Sequence, residues 1–239
     1  MDHAQHNAIV AFIWGIADDI LRDVYVRGKY RDVILPMTVI RRLDALIEPT
    51  KAQVMERKRL LDATGVTNQD AGLCAAAGLP FYNTSPFTLR SLLSSTRRQQ
   101  LVDDLRAYLD GFSSNVREIL DKFKFYDQIK TLADAHILGA VIERFLDPNI
   151  NLSPQPVLDG KGNVRLPALD NHDMGTIFEE LIRRFNEENN EEAGEHFTPR
   201  DVVRLMAQLI FMPIADEIDS GSYLVYDGAC GTGGMLTVA

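Results

Sequence analysis

The stretch YLVYDGACGTGG (Tyr223–Gly234) carries the clearest structural signal in this chain. Four apolar or aromatic residues lead into Asp227, and glycines then occupy four of the next seven positions. The apolar residues after the last glycine predict the beginning of a helix. A short buried parallel strand, a tight turn and a helix are the repeating unit of doubly wound α/β sheets, and the sequence predicts one such unit here.

A glycine-rich turn between a strand and a helix is suited to an anionic or polyhydroxylic ligand, because glycines let backbone amides approach it closely. Two nucleotide motifs fit poorly. Gly228 and Gly233 have the spacing of a phosphate-binding loop, but Gly234 stands where that motif has lysine. Gly231 and Gly233 begin a dinucleotide fingerprint, but Leu236 replaces its third glycine. A turn without a ligand is the remaining alternative, and the number of glycines and the preceding aspartate speak against it.

A strong helix start lies upstream, in HFTPRDVVRLMAQLIF (196–211). Thr198 is a suitable capping residue, Pro199 fits the first helical position, and Asp201 brings an acid into the first turn. The apolar spacing that follows predicts one buried face. The residues expected on that face are Val202, Val203, Leu205, Met206 and Leu209.

The rest of the chain has mostly helical periodicity. An apolar stripe at Ile9, Ile13, Ile16 and Ile20 predicts a first amphipathic helix. A second helix is expected from near Pro36 to about residue 62, bent or divided by Pro49. Its apolar stripe comprises Val39, Leu43, Leu46 and Ile47. Two or three further helices fit between Leu89 and Leu146, and another is expected over 172–189, running into an acidic polar loop that ends at residue 195.

Residues 147–170 are rich in proline, asparagine and glycine and form the best candidate for a domain boundary. Within them, PVLDGKGNVRLP (156–167) has two interpretations, a small hairpin about its DGKGN turn or a plain surface loop. We therefore predict a helical N-terminal domain at 1–146, a linker or small hairpin at 147–170, and the start of a second domain at 171–239.

Composition limits the classes of function. The chain has 239 residues, a net charge of −9 and a pI near 5.0, which argues against a protein that grips nucleic acid over its whole surface. It has no apolar run of the roughly 20 residues that a membrane span needs. Neither Cys74 nor Cys230 has metal-ligand spacing. We expect a cytoplasmic protein without membrane attachment.

The charge is uneven, since residues 21–60 hold ten basic and five acidic residues. Two interpretations stay open for this basic segment. It contributes solvated helix faces, or it forms a surface for an acidic partner or for phosphates.

Four segments resemble a known family. DGACGTGG (227–234) resembles the methyl-donor loop of amino-methylating DNA methyltransferases, D-P-[AF]-[CA]-G-[TS]-G, with Gly228 in place of proline. GEHFTPRDVVRLM (194–206), MGTIFEELIRRFNE (174–187) and GKYRDVILPMTVIRRLDALIEPTK (28–51) are similar to segments of the modification, or methylation, subunits of type I restriction–modification systems. These subunits are adenine-specific DNA methyltransferases. The segments occur in the family's order and span most of the chain.

The resemblance implies a mostly α fold, with an N-terminal helical bundle followed by the beginning of a doubly wound α/β methyltransferase domain. It implies S-adenosylmethionine as the methyl donor, with Asp227 near the donor's amino group and Thr232 as a polar contact. The implied cofactor-binding residues are Asp227, Gly228, Ala229, Cys230, Gly231, Thr232, Gly233 and Gly234 on one wall, and Glu195, His196, Phe197, Thr198, Pro199 and Arg200 on the other. Thr198 also fits a pure helix cap, and Arg200 a solvated first-turn residue.

No catalytic residue and no metal ligand is assigned. The family's Asn-Pro-Pro-Phe/Tyr motif does not occur in the sequence, so we expect an N-terminal fragment or a truncated gene product that is inactive alone. His196 lacks a partner at metal-ligand spacing. The resemblance implies a specificity subunit and a restriction subunit as partners, DNA bound through the complex, and a second copy of the same subunit as a further candidate. The alternative is a catalytically dead remnant or helical interaction module that binds the specificity subunit.

Overall fold

The computed structural model describes residues 3–94, 97–188, 198–218, 224–231 and 233–238, and it is mostly helical, as predicted. The chain divides into two compact units. Ala11–Leu169 form one, which we call the helical unit; Met1–Val10 and Asp170–Ala239 form the other, which we call the C-terminal unit. The predicted domain limits at 146 and 171 stay predictions about independent folding.

The chain begins with helix α1 (His3–Ile16), as its isoleucine stripe predicts. Ile13 and Ile16 of that stripe are fully buried. The helix continues into a π-helical turn, Ala17–Leu21, and a 3₁₀ turn follows at Arg27–Lys29.

Helix α2 (Arg31–Ile47) and helix α3 (Lys51–Ala63) are separated by a 3₁₀ turn, Glu48–Thr50. Pro49 therefore divides the two helices, as predicted. The expected helix start near Pro36 was wrong, because Pro36 lies inside α2, in its second turn.

The buried face of α2 also differs from the prediction. Of the predicted stripe only Ile47 is fully buried, while Val39, Leu43 and Leu46 are partly exposed. The helix is packed on more than one side, and two of its charged side chains lie in the interior. Its buried residues include Val33, Ile34, Met37, Ile40, Arg42 and Asp44.

Helix α4 (Asp70–Ala77) packs against α3. Val54, Leu73 and Ala77 form the buried centre of this contact. Gly78 ends α4 with a φ of +65°, a left-handed conformation that glycine adopts without steric cost.

Five short helices, rather than two or three, lie in the described residues between Leu89 and Leu146. A residue in the left-handed backbone conformation precedes two of them, Lys124 before α8 and His136 before α9. Thr88 and Ser91 form a reciprocal capping box at the first. The helices are α5 (Leu89–Leu92), α6 (Arg98–Asp110), α7 (Ser114–Lys122), α8 (Phe125–Asp134) and α9 (Leu138–Phe145).

The segment at 156–167 forms the hairpin rather than the plain loop. Strands β1 (Val157–Leu158) and β2 (Val164–Leu166) pair antiparallel. The Asp159 carboxylate accepts hydrogen bonds from the backbone N–H groups of Lys161 and Asn163, at 2.8 and 2.9 Å, and closes the turn.

Two buried side chains, Arg42 and Asn151, hold the chain on either side of the hairpin. Arg42, only 5% exposed, donates to the carbonyl oxygens of Leu152 and Leu169, both at 2.8 Å. Asn151 donates to the carbonyl oxygens of Gln155 and Pro167, again at 2.8 Å. The hairpin segment is thereby part of the helical unit.

The C-terminal unit contains helix α10 (Asn171–Glu188), helix α11 (Arg200–Phe211), a 3₁₀ segment at Met212–Glu217 and the short helix α12 (Gly234–Val238). α12 packs against both α10 and α11. The first residues of the chain belong to this unit as well. His6 Nε2 lies 2.8 Å from Asp173 Oδ1, and both side chains are largely buried.

Candidate functional site

The glycine-rich turn is held by two hydrogen bonds of its own. The Asp227 carboxylate accepts from the Ala229 N–H at 3.0 Å, and the Cys230 carbonyl oxygen accepts from the Gly233 N–H at 2.7 Å. Gly231 and Gly233 have φ values of +52° and +82°. Residues that have a side chain rarely adopt this backbone conformation, so the turn requires glycine at both positions.

The predicted buried strand before the turn is not formed in the described residues Leu224–Asp227. They carry no strand pairing, and Leu224 is fully exposed. A strand needs a neighbour for its backbone groups, and within the described residues the only paired strands are β1 and β2. Tyr223 lies outside the described residues.

The turn leads into a close approach between helices. A Cβ atom on Gly234 would lie 3.4 Å from Glu179 Oε1 of α10 and 3.4 Å from Val203 Cγ2 of α11. A methyl group there would just touch both side chains, and a larger one would displace them. Gly234 thus lets the start of α12 rest directly on α10 and α11.

Thr198, Pro199 and Arg200 lie at the start of α11. The Pro199 carbonyl oxygen accepts from the Val203 N–H at 3.0 Å, and the helix begins at Arg200. The prediction of Thr198 as the cap was wrong, because Pro199 has an extended ψ and occupies the capping position, with no side-chain capping bond. Thr198 and Pro199 are exposed.

Of the remaining residues predicted to bind the cofactor, some lie within the described part of the chain and others do not. Gly228, Ala229, Cys230 and Gly231 are exposed, and Asp227 and Gly234 are partly buried. The side chain of Arg200 is not described. Glu195, His196, Phe197 and Thr232 lie outside the described residues. Since Val203 contacts the position of Gly234, the structure brings the first turn of α11 beside the end of the glycine-rich turn.

The predicted buried face of α11 was wrong except for Val203. Val203 and Ala207, four residues apart, are the buried pair of this helix. Leu205 and Leu209 are mostly exposed, and Val202 and Met206 are each 42% exposed. Among the described residues α11 packs against α12 and the 3₁₀ segment after it, which cover a narrow stripe.

Charged side chains on α10 are paired along the helix. Arg183 and Arg184 donate to the Glu180 carboxylate at 2.6 and 3.1 Å. These bonds, Arg183 first, lower the pKa of Glu180, and the pKa of Arg183 is raised in turn. In the described part of the chain no group of His, Cys, Asp and Glu side chains could hold a metal ion.

Three of the ten basic residues in segment 21–60 make interior contacts. Arg42 is buried on carbonyl oxygens, and Arg41, largely buried, donates to the Phe145 carbonyl oxygen at 3.1 Å. Lys51 donates to both oxygens of Asn83. These three cations serve interior contacts of the helical unit.

Sequence reasoning missed two residues beside the turn, Glu179 and Val203. Val203 was expected in the core, with no link to the glycines. Glu179 had one usable signal, because it interrupts, together with Glu180, an apolar run of α10 between Phe178 and Leu181. An acid within such a run often marks a specific polar contact.

Two family models match this chain. Residues 9–145 match the HsdM N-terminal domain, and residues 169–239 match the N-6 DNA Methylase domain. No curated protein and no solved structure matches the chain. The first match covers more than half of the sequence and the second most of the remainder.

The two matches define a class of protein, an adenine methyltransferase with a helical N-terminal domain. The chain belongs to the family of modification subunits of type I restriction–modification systems. No helix in the described residues is both long and apolar enough to cross a membrane.

Proposed function

We propose that the glycine-rich turn at 227–234 binds S-adenosylmethionine, and that the protein takes part in transferring its methyl group to the exocyclic amino group of adenine in DNA. The observation that carries the proposal is the geometry of the turn. Gly231 and Gly233 have positive φ angles and follow an aspartate that already holds the backbone of the turn. The match of residues 169–239 to N-6 DNA Methylase supports this assignment.

Three residues of the turn have a chemical task in this proposal. Asp227 Oδ1 bonds the Ala229 N–H, and the carboxylate is partly exposed, which leaves it open to the ammonium group of the donor. Gly231 and Gly233 present backbone amides without a side chain in the way. Thr198 and Pro199, exposed ahead of α11, belong to the second wall together with Glu195, His196, Phe197 and Arg200.

The target adenine has to leave the base stack, since a base inside the duplex is inaccessible to an enzyme pocket. The 239 residues include no Asn-Pro-Pro-Phe/Tyr motif to hold the adenine amino group. We therefore propose that this chain alone transfers no methyl group to DNA. Labelled methyl donor and adenine-containing DNA should give no transfer above background.

The proposed setting is a cytoplasmic type I complex. A specificity subunit reads the DNA sequence, a restriction subunit is a further partner, and a second copy of this subunit is a candidate. The match to the HsdM N-terminal domain supports membership of such a complex. The net charge of −9 agrees with DNA contact that depends on partner subunits.

Calorimetric titration with S-adenosylmethionine tests the proposal. A hydrogen bond to a charged group contributes about 1.5–3 kcal/mol, so Asp227→Ala should bind the donor roughly 10- to 100-fold more weakly. Asp216→Ala, an exposed aspartate of the same unit, is the matched control and should bind like the wild type. Equal affinity of Asp227→Ala and wild type, or tighter binding of ATP than of S-adenosylmethionine, would overturn the proposal. Absence of any donor binding would favour the interaction module.

A further inference from the structure

Helix α10 directs a nearly buried carboxylate at the end of the glycine-rich turn. Glu179 is only 5% exposed, and its Oε1 atom lies 3.4 Å from the position of a Cβ on Gly234. Val203 Cγ2 of α11 lies 3.4 Å from the same position. A carboxylate and a valine side chain therefore both come within contact distance of Gly234.

A glutamate is a costly residue at a packed position, because burying a carboxylate is unfavourable unless its charge is balanced or hydrogen-bonded. α10 obtains its apolar packing from a different stripe, Ile177, Leu181 and Phe185. Glu179 shares the second stripe with the buried Asn186, seven residues later. The side of α10 that carries Glu179 is thus buried and polar, which a packing role alone does not explain.

The start of a helix is a favourable place for such a carboxylate. The first N–H groups of a helix have no partner within it, and negative charge beside them is stabilising. Gly234 is the first residue of α12 and directly follows Gly233, whose N–H closes the turn onto Cys230. A group that fixes Gly234 also fixes the turn.

We propose that Glu179 is a positioning residue whose buried carboxylate holds the first turn of α12 and thereby keeps the glycine-rich turn in its ligand-accepting conformation. Gly234 is its counterpart, because even a Cβ at this position would already be in contact with the carboxylate. The part of this inference that concerns the methyl donor rests on the proposed function. The part that concerns the conformation of the turn does not.

Amide hydrogen exchange without any ligand tests the conformational part. We compare the wild type with Glu179→Ala, which removes the carboxylate, and Glu179→Gln, which keeps its shape and one acceptor oxygen but removes the charge. Glu180→Ala is the matched control, one position along the same helix, where the carboxylate pairs with Arg183 and Arg184. The exchange rate within residues 224–238 should rise roughly tenfold or more in Glu179→Ala. It should rise less in Glu179→Gln and stay unchanged in the control.

Two results would overturn the inference. One is exchange in residues 224–238 that stays at the wild-type rate in both Glu179 variants. The other is equal acceleration throughout α10 and α11 in both variants, which would make Glu179 a general packing residue. Titration with S-adenosylmethionine separates the two proposals. Roughly tenfold weaker binding by Glu179→Ala supports both, whereas faster exchange in a protein that never binds the donor leaves the positioning role and removes the proposed function.

Discussion

Gly231 illustrates how a single residue limits the candidate site. Its φ is +52°, and an added Cβ would meet no atom within 4 Å, so the restriction is conformational and not steric. A left-handed conformation costs a residue with a side chain about 1–2 kcal/mol. We expect Gly231→Ala to weaken binding of S-adenosylmethionine by roughly 5- to 30-fold in a calorimetric titration.

The control for this prediction is Gly160→Ala. Gly160 also has open space around it but no positive φ. The same change of residue should leave donor affinity unaltered there. Indistinguishable binding by the two variants would mean that the conformation at Gly231 is unimportant for the ligand.

Lys51 loses its positive charge at a less alkaline pH than an ordinary lysine. Burial lowers the pKa of its amine to about 8, and Asp44 opposes that shift. Between pH 8 and its ordinary pKa near 10.5, the unfolded chain holds this proton more firmly than the folded one. Lys51 therefore lowers the free energy of unfolding below pH 8, and this penalty disappears as the pH rises through that window.

Urea unfolding at pH 7.5 and pH 10 measures the effect. The difference in free energy of unfolding between wild type and Lys51→Met should shift in favour of the wild type at the higher pH. Lys58→Met, at a more exposed lysine paired with Asp62, is the control and should show no such shift. A shift of the opposite sign at Lys51 would contradict the prediction.

At the residue scale, the sequence predicted what is local. The aspartate and glycines of the turn are adjacent along the chain, and their conformational demands follow from residue type. Interior polar contacts were missed because they join distant positions. Tyr108 donates to Asp44 at 2.9 Å across 64 residues, and Lys51 reaches Asn83 across 32. No spacing rule connects such pairs.

At the scale of the elements, helix α10 begins after a capping aspartate, Asp170. The Asp170 carboxylate accepts from the Asp173 N–H at 2.7 Å, and the Asp170 carbonyl oxygen accepts from the Met174 N–H at 3.0 Å. Loss of an N-terminal cap costs about 0.5–2 kcal/mol. Asp170→Ala should lower the free energy of unfolding by about that amount in denaturant titration at pH 7.

The capping bond also gives this prediction a pH dependence. The bond to the Asp173 N–H lowers the pKa of Asp170. The stabilisation is complete above the unfolded pKa near 3.8 and is lost as the pH falls through the lower, folded value. The gap between wild type and Asp170→Ala should therefore narrow in acid, and a gap that is constant from pH 7 to pH 2 would argue against capping.

At the element scale, proline and periodicity predicted where helices exist better than where they begin. Pro49 divides α2 from α3 because it cannot donate a backbone hydrogen bond. Pro36 was misplaced at a helix start because tertiary packing holds it within α2. Residues 224–227 lack the pairing that a strand requires, and no local pattern in the sequence reports whether a partner strand is present.

At the scale of the whole molecule, the contacts of residues 147–169 bear on where a stable fragment ends. Ile150, Leu152 and Leu169 are buried, and Arg42 ties both ends of the segment to α2. We predict that limited proteolysis first cuts the exposed hairpin turn or the chain beyond Leu169, leaving a helical core. Mass spectrometry of the fragments checks this. Early loss of residues 31–145 would contradict it.

The contact between His6 and Asp173 has a consequence for how the protein is made. Its two partners are 167 residues apart, so His6 leaves the ribosome long before its partner is synthesised. At roughly 5–20 residues per second the delay is on the order of 8–30 s. We predict that residues 3–10 stay open to protease on stalled nascent chains that end near residue 160 and become protected once the chain extends well past α10. A segment translated early would then reach its native place late.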